Sequence, residues 1–119
     1  MKRILVIEDE TSLRKILSRM LSLEGFEVLA AETGARGIAL ARERVPNLIF
    51  CDLKMPELDG YGVLSAIRGD PKTAGIPLVF VTASADKPEQ QLGLDRGAAA
   101  YLTKPFNRED ILDAIHRCT

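Results

Sequence analysis

Three unbroken apolar runs constrain this chain more than any other feature: Ile4-Leu5-Val6-Ile7, Leu48-Ile49-Phe50-Cys51 and Leu78-Val79-Phe80-Val81. A strand with one wet face alternates polar and apolar residues, whereas a short run with no polar break is covered on both faces. Strands of that kind belong to parallel sheets with helices above and below. Between the runs the spacing changes. Leu13, Ile16, Leu17, Met20 and Leu21 fall at i, i+3, i+4, i+7 and i+8, which is one apolar helix face, and Gly25 stops that helix. Residues 26–31 read as a second strand, which Glu27 interrupts and so moves toward the sheet edge. Thr33 is placed to cap a second helix marked by Ala35, Ile38, Ala39 and Val45, and Pro46 ends it. A short third helix over 60–68 carries Val63, Leu64 and Ile67. Residues 86–96 give a poor fourth helix, whose only large apolar residues, Leu92 and Leu94, flank Gly93. A fifth strand covers 98–102, and Asn107 caps a last helix that turns Ile111, Leu112 and Ile115 to the core.

Strands alternating with helices imply right-handed parallel βαβ units. The expected fold is therefore α/β, a flavodoxin-like doubly wound (βα)5 unit with a five-stranded parallel sheet. The order 2-1-3-4-5 suits a chain whose second strand looks like an edge. All of residues 1–119 read as a single domain, with no repeat, linker or leftover segment for a second one. Sixteen Lys and Arg stand against seventeen Asp and Glu, a balance that argues against direct nucleic-acid binding. No apolar stretch approaches the roughly 18 residues of a membrane span, and the start is too briefly apolar for a signal peptide. Cys51 and Cys118 make no disulfide framework, and reduced thiols point to a cytoplasmic protein. Strand alternation turns Cys51 into the core, and Cys118 reads as an exposed thiol near the end of the chain.

In open α/β sheets ligands bind at the carboxyl ends of the strands. The first strand delivers Glu8 and Asp9 there, the third Asp52, the fourth Thr82 and the fifth Lys104. In the order 2-1-3-4-5 the first and third strands are neighbours, so three carboxylates converge on one crevice. Close carboxylates repel, and a hard divalent cation such as Mg²⁺ is the natural remedy. With the Lys104 charge and the Thr82 hydroxyl, the group forms a cup for a tetrahedral anion beside a metal. Other sites fit poorly. The segment after the first strand, Glu8-Asp9-Glu10-Thr11, lacks the glycines of a dinucleotide loop, and its charge would repel a pyrophosphate. No P-loop pattern occurs, and the single histidine, His116, lies in the last helical turn, where it complements the helix C-terminus.

These residues resemble the receiver domain of two-component response regulators, of the chemotaxis-regulator kind. The resemblance runs from Ile4 to His116. It rests on Glu8-Asp9, on Asp52 with Met55-Pro56 and Asp59-Gly60, on Thr82-Ala83, and on Tyr101-Leu102-Thr103-Lys104-Pro105-Phe106. It implies that Asp52 is the phosphoacceptor, taking a phosphoryl group from a histidine kinase or a histidine phosphotransfer protein within a phosphorelay. Asp9 and Asp52 would bind Mg²⁺ with the Lys54 backbone carbonyl, and Glu8, standing where aspartate is commoner, would act largely through water. Lys104 would pair with phosphoryl oxygens, across a cis peptide bond to Pro105. Thr82 and Tyr101 would be the switch pair.

The resulting expectation is a signalling switch that promotes only its own phosphorylation and dephosphorylation, and so is not a turnover enzyme. The weak fourth helix, with the fifth strand and fifth helix, would be the output face toward a downstream effector protein or domain, or toward a phosphorylation-dependent homodimer. Lys54 and Ser84 stand where such proteins tune the lifetime of the phosphorylated state. A Mg²⁺-dependent phosphohydrolase is the alternative from another class. A degenerate receiver acting only as a binding module is a third, against which the complete set of site residues argues.

Overall fold

The structure, a computed structural model, describes residues 2–83 and 86–118. Strands and helices alternate along the chain: β1 (Arg3–Ile7), α1 (Thr11–Leu23), β2 (Glu27–Ala31), α2 (Gly34–Arg44), β3 (Leu48–Asp52), α3 (Gly60–Gly69), β4 (Leu78–Thr82), α4 (Lys87–Asp95), β5 (Ala100–Thr103) and α5 (Arg108–Cys118). The five strands form one parallel sheet in the order β2-β1-β3-β4-β5. The three unbroken apolar runs are its three central strands, and β3 and β4 are buried at every position. The strand carrying Glu27 is an edge, as its composition predicts.

Alternation along each strand sorts the core into two clusters. Leu5, Ile7, Ile49, Cys51, Leu78 and Phe80 pack with α2 and α3 residues such as Ala41, Val63, Leu64 and Ile67. Ile4, Val6, Leu48, Phe50, Val79, Val81 and Leu102 pack on the other face with Leu17 and Leu21 of α1 and Ile111, Ala114 and Ile115 of α5. Cys51 is fully buried in the first cluster, on the face opposite its neighbour Asp52 by alternation.

The predicted caps are present. Thr33 Oγ1 accepts from the Arg36 N–H at 3.1 Å. Asn107 and Asp110 cap α5 reciprocally: Asn107 Oδ1 accepts from the Asp110 N–H at 2.9 Å, and Asp110 Oδ2 from the Asn107 N–H at 3.0 Å. Gly25, with φ +92°, takes the left-handed conformation just past α1.

Four expectations need correction. Ile16 shares the α1 spacing but is 54% exposed, because the helix turns Leu17 and Leu21 to the sheet. Val45 does not belong to α2; it is the residue after the helix, left-handed at φ 40° and exposed. β5 begins at Ala100, two residues later than the apolar run suggests. Cys118 is not a fully exposed thiol, since it is half-buried against the α1 and α5 cluster and burial raises its pKa.

Candidate functional site

The carboxyl edge of the sheet is built by strand ends in register. Ile7 pairs with Cys51, so Glu8 and Asp52 leave neighbouring strands at the same level. Asp52 pairs with Val81, and Thr82 with Thr103. Glu8, Asp9 and Asp52 each bring a carboxylate oxygen within 4.8 Å of the others. Asp9 is exposed, while Glu8 and Asp52 are buried at 3% and 7% exposure, and buried acids must be compensated.

Lys104 provides part of that compensation. Its Nζ lies 3.1 Å from Glu8 Oε1 and 3.5 Å from Asp52 Oδ1. The other Glu8 oxygen, Oε2, accepts from the Glu10 N–H at 3.1 Å. The Arg14 guanidinium donates to the Glu8 backbone carbonyl at 2.9 Å and secures the end of β1. One ammonium does not balance three carboxylates. Glu8 carries the imbalance: its pKa is raised from 4.5 to about 7, chiefly by burial and further by the charge of Asp52, against the lowering effect of the Glu10 N–H. The peptide bond joining Lys104 to Pro105 is cis.

The loop after Asp52 is held by backbone. The Gly60 N–H donates to the Leu53 carbonyl at 2.8 Å. A Cβ at Gly60 would come within 2.7 Å of the Asp52 carbonyl oxygen and 2.8 Å of Leu53 Cα, so only glycine lets α3 start this close behind Asp52. Asp59 caps α3, accepting from the Gly62 N–H at 2.9 Å. Met55 is buried, and Lys54 is exposed at the rim of a groove shared with Met55, Pro56, Asp59, Tyr61 and Glu89.

Glu8, Asp9, Asp52 and Lys104 therefore come together as the strand ends imply. Thr82 is buried at the end of β4. Alternation and the pairing of Phe80 with Tyr101 put Thr82 and Tyr101 on the same face of the sheet, the one on which α4 is seated. Ser84 lies outside the described residues. Tyr101 is half-buried, its ring 5.4 Å from that of Phe80 and its hydroxyl donating to the Glu89 carbonyl at 3.1 Å.

Two contributors are not marked in the sequence. Tyr61 approaches Tyr101 hydroxyl to hydroxyl at 3.4 Å. Arg68 is half-buried and donates to the carbonyls of Ala74 (3.1 Å), Ile76 (2.6 Å) and Gly97 (3.2 and 2.8 Å), tying α3 to the loop before β4 and to the turn after α4. Arg68 sits at an ordinary helix position with no motif around it, and Tyr61, although it directly follows Asp59-Gly60, has no pattern of its own.

No helix among the described residues is long and apolar enough to cross a membrane. A family model described as the response regulator receiver domain matches residues 4–116. A probable transcriptional regulator, ycf27, of Galdieria sulphuraria is 41% identical over 117 residues, covering 98% of this chain and 44% of that protein. The chain thus spans less than half the length of that relative. Protein PilH of Pseudomonas aeruginosa is 36% identical over 116 residues, covering 98% of this chain and 96% of PilH. Among solved structures, the chemotaxis protein CheY4 of Vibrio cholerae superposes with a TM-score of 0.95 at 29% identity, covering 100% of this chain and 99% of CheY4.

Proposed function

This chain belongs to the response regulator receiver domain family, and from that membership we propose that it is a phosphorylation-activated switch whose acceptor is Asp52. Receiver domains of response regulators act as signalling switches rather than as turnover enzymes. The observation that carries the reading is the convergence of Glu8, Asp9 and Asp52 around the Lys104 ammonium, at the ligand-binding edge of a parallel sheet.

In the proposed reaction an Asp52 carboxylate oxygen attacks the phosphorus of a phosphohistidine. The P–O bond forms as the P–N bond breaks, and the imidazole leaves with the electron pair. Such transfers depend on alignment and on neutralising charge at the equatorial oxygens. Lys104, already 3.5 Å from Asp52, supplies fixed positive charge on one side. The all-oxygen donor set and its excess negative charge suit Mg²⁺. Asp9, Asp52 and the Lys54 backbone carbonyl would hold the ion, and Glu8, with both oxygens engaged, would serve through water. When bound, the ion supplies further neutralisation. Thr82 would donate its hydroxyl to the phosphoryl group, and Tyr101, on the same side of the sheet, would carry the change to an output face formed by α4, β5 and α5.

The donor would be a sensor histidine kinase or a histidine phosphotransfer protein. An apolar groove of about 520 Å³ adjoins Lys104, lined by Leu13, Ile16 and Met20 of α1 and by Pro105 and Phe106. We assign the donor protein to this groove, which gives exposed Ile16 a role. Downstream, the partner would be an effector protein or domain, or a second phosphorylated copy. The relatives named as transcriptional regulators are about twice as long, and nucleic-acid contact is not assigned to residues 1–119, whose charges nearly balance. A cytoplasmic location fits that role. The test is acid-labile labelling by acetyl phosphate with Mg²⁺: stoichiometric in the wild type, lost in Asp52→Asn. Labelling that persists in Asp52→Asn would place the acceptor elsewhere, and steady hydrolysis of a phosphomonoester would replace the switch by a phosphohydrolase.

A further inference from the structure

α4 is seated in an unusual way. Its large apolar residues are largely exposed, Leu92 at 43% and Leu94 at 41%, and its one buried residue is Gly93. The ring of Tyr101 occupies the space at Gly93, where a Cβ would come within 2.6 Å of Tyr101 Cε2 and Oη. The first turn of α4 is then engaged through its backbone. The Glu89 carbonyl accepts from Tyr101 Oη at 3.1 Å and lies 3.5 Å from Tyr61 Oη, while the two hydroxyls are 3.4 Å apart. With Tyr101 donating to Glu89, the single Tyr61 proton has two acceptors in reach, Tyr101 Oη and the same Glu89 carbonyl, and either choice ties Tyr61 to this group.

Tyr61 is itself held on both sides. Its ring packs edge-on against Phe80 at 5.5 Å, and the Arg96 guanidinium lies 5.0 Å from its centroid. Phe80 stands between the two tyrosines, 5.4 Å from Tyr101, and is fully buried, so its ring cannot be displaced cheaply. Burial raises the pKa of the Tyr101 phenol above its ordinary value.

We propose that Tyr61 is a positioning residue of the switch: its hydroxyl holds Tyr101 in the seam between the sheet and α4, and through the Glu89 carbonyl joins the first turn of α4 to α3, before any phosphoryl group arrives. The inference rests on the receiver reading above for its meaning, but its geometry does not depend on phosphorylation. Tyr61 thus sets how much of the resting population already has Tyr101 in the seam. A ligand or modification shifts such an equilibrium only by its differential affinity for the two states. Loss of one hydroxyl hydrogen bond should change the ratio of seam to solvent positions roughly two- to tenfold.

The chain has two tyrosines and no tryptophan, which makes the test direct. Ring-labelled tyrosine gives two sets of NMR signals in the full, unphosphorylated protein. In Tyr61→Phe, which keeps the ring on Phe80 and under Arg96, one set disappears and the Tyr101 set should move toward the position of a solvated tyrosine. The amide protection of Gln90 and Gln91 in α4 should fall by the same factor. An unmoved Tyr101 signal in folded Tyr61→Phe overturns the proposal, because a merely structural tyrosine would change melting and not the Tyr101 environment. Should the variant not fold, the wild type decides: no cross-relaxation between the two rings overturns the proposal, and its presence supports it. The two readings fail separately. If Asp52 is labelled while Tyr101 stays put, the tether falls alone; if Asp52 is not labelled while Tyr101 moves, the phosphoacceptor assignment falls and the tether stands.

Discussion

Glu8 and Lys104, 96 positions apart in sequence, meet at 3.1 Å, while the second Glu8 oxygen is occupied by the Glu10 N–H. Even so, burial raises the Glu8 pKa from 4.5 to about 7. Between those two values the folded protein binds a proton that the unfolded chain has released, so stability falls as pH rises through this window. In chelator, the urea midpoint should drop between pH 5 and pH 7.5. Glu8→Gln should flatten that limb, and a wild-type profile already flat there would remove the basis for the assignment.

Metal should reverse that loss. An ion bound only by the folded protein stabilises by about 1.4 kcal/mol at ten times its dissociation constant, or roughly 4–6 °C of melting temperature for a domain of this size. Mg²⁺ at millimolar concentration should give such a shift in the wild type, and Asp52→Asn should lose most of it. Calorimetric scans with and without chelator measure both.

Ile16 separates donor docking from chemistry. It is exposed in the groove beside Lys104 and contributes little to the core. Ile16→Lys should change stability by no more than about 0.5 kcal/mol. Transfer from a phosphorylated histidine protein should slow roughly five- to tenfold, the loss of one well-placed apolar contact. Labelling by acetyl phosphate, which needs no protein surface, should proceed at the wild-type rate.

Gly60 admits nothing larger. A Cβ there meets backbone atoms of Asp52 and Leu53 at 2.7 and 2.8 Å, and neither can swing aside as a side-chain tip could. Gly60→Ala should cost about 1–3 kcal/mol in chemical denaturation. It should also lower labelling of Asp52, because the acceptor strand end has to shift to make room. Alanine at Gly69, where no atom lies within 4 Å of an added Cβ, is the matched control and should leave both unchanged.

Arg68 gives a prediction of opposite character, since nothing in the sequence marks it. Its guanidinium serves three carbonyls, and desolvation lowers its pKa. Arg68→Met keeps the stem and removes the donors. A loss of about 2 kcal/mol is expected, with faster amide exchange concentrated in the turn at Gly97 and in the loop before β4.

How much of this was legible beforehand depends on what kind of signal each residue leaves. Unbroken runs such as Leu78-Val79-Phe80-Val81 state their own burial, so the sheet could be read; the periodicity does not give strand order, and Glu27 only favoured 2-1-3-4-5 among the doubly wound orders by marking an edge. The acids and Lys104 stand directly after those runs, and their meeting follows from strand order alone. Helix spacing is weaker evidence: it groups Leu13, Ile16 and Leu21 on one face without saying how far the sheet extends beneath it, and Ile16 overhangs. Arg68 was invisible because its partners are backbone carbonyls, which every sequence has everywhere, and Tyr61 because its partner Tyr101 lies 40 positions away with no spacing rule to join them. Gly93 was read as a gap in a poor helix, whereas it is the seat of Tyr101.

That seat has a consequence for how such a protein can diversify. α4 is held by the Glu89 carbonyl, by the bare Cα of Gly93 and by the Gly97 carbonyl that Arg68 grips, so of its positions only Gly93 is fixed in identity by this seating. Lys87, Gln91, Leu92, Leu94 and Asp95 face outward with little structural duty. Drift or selection can rewrite them almost freely, so the outer face of this helix and its seating on the sheet are inherited as separable traits.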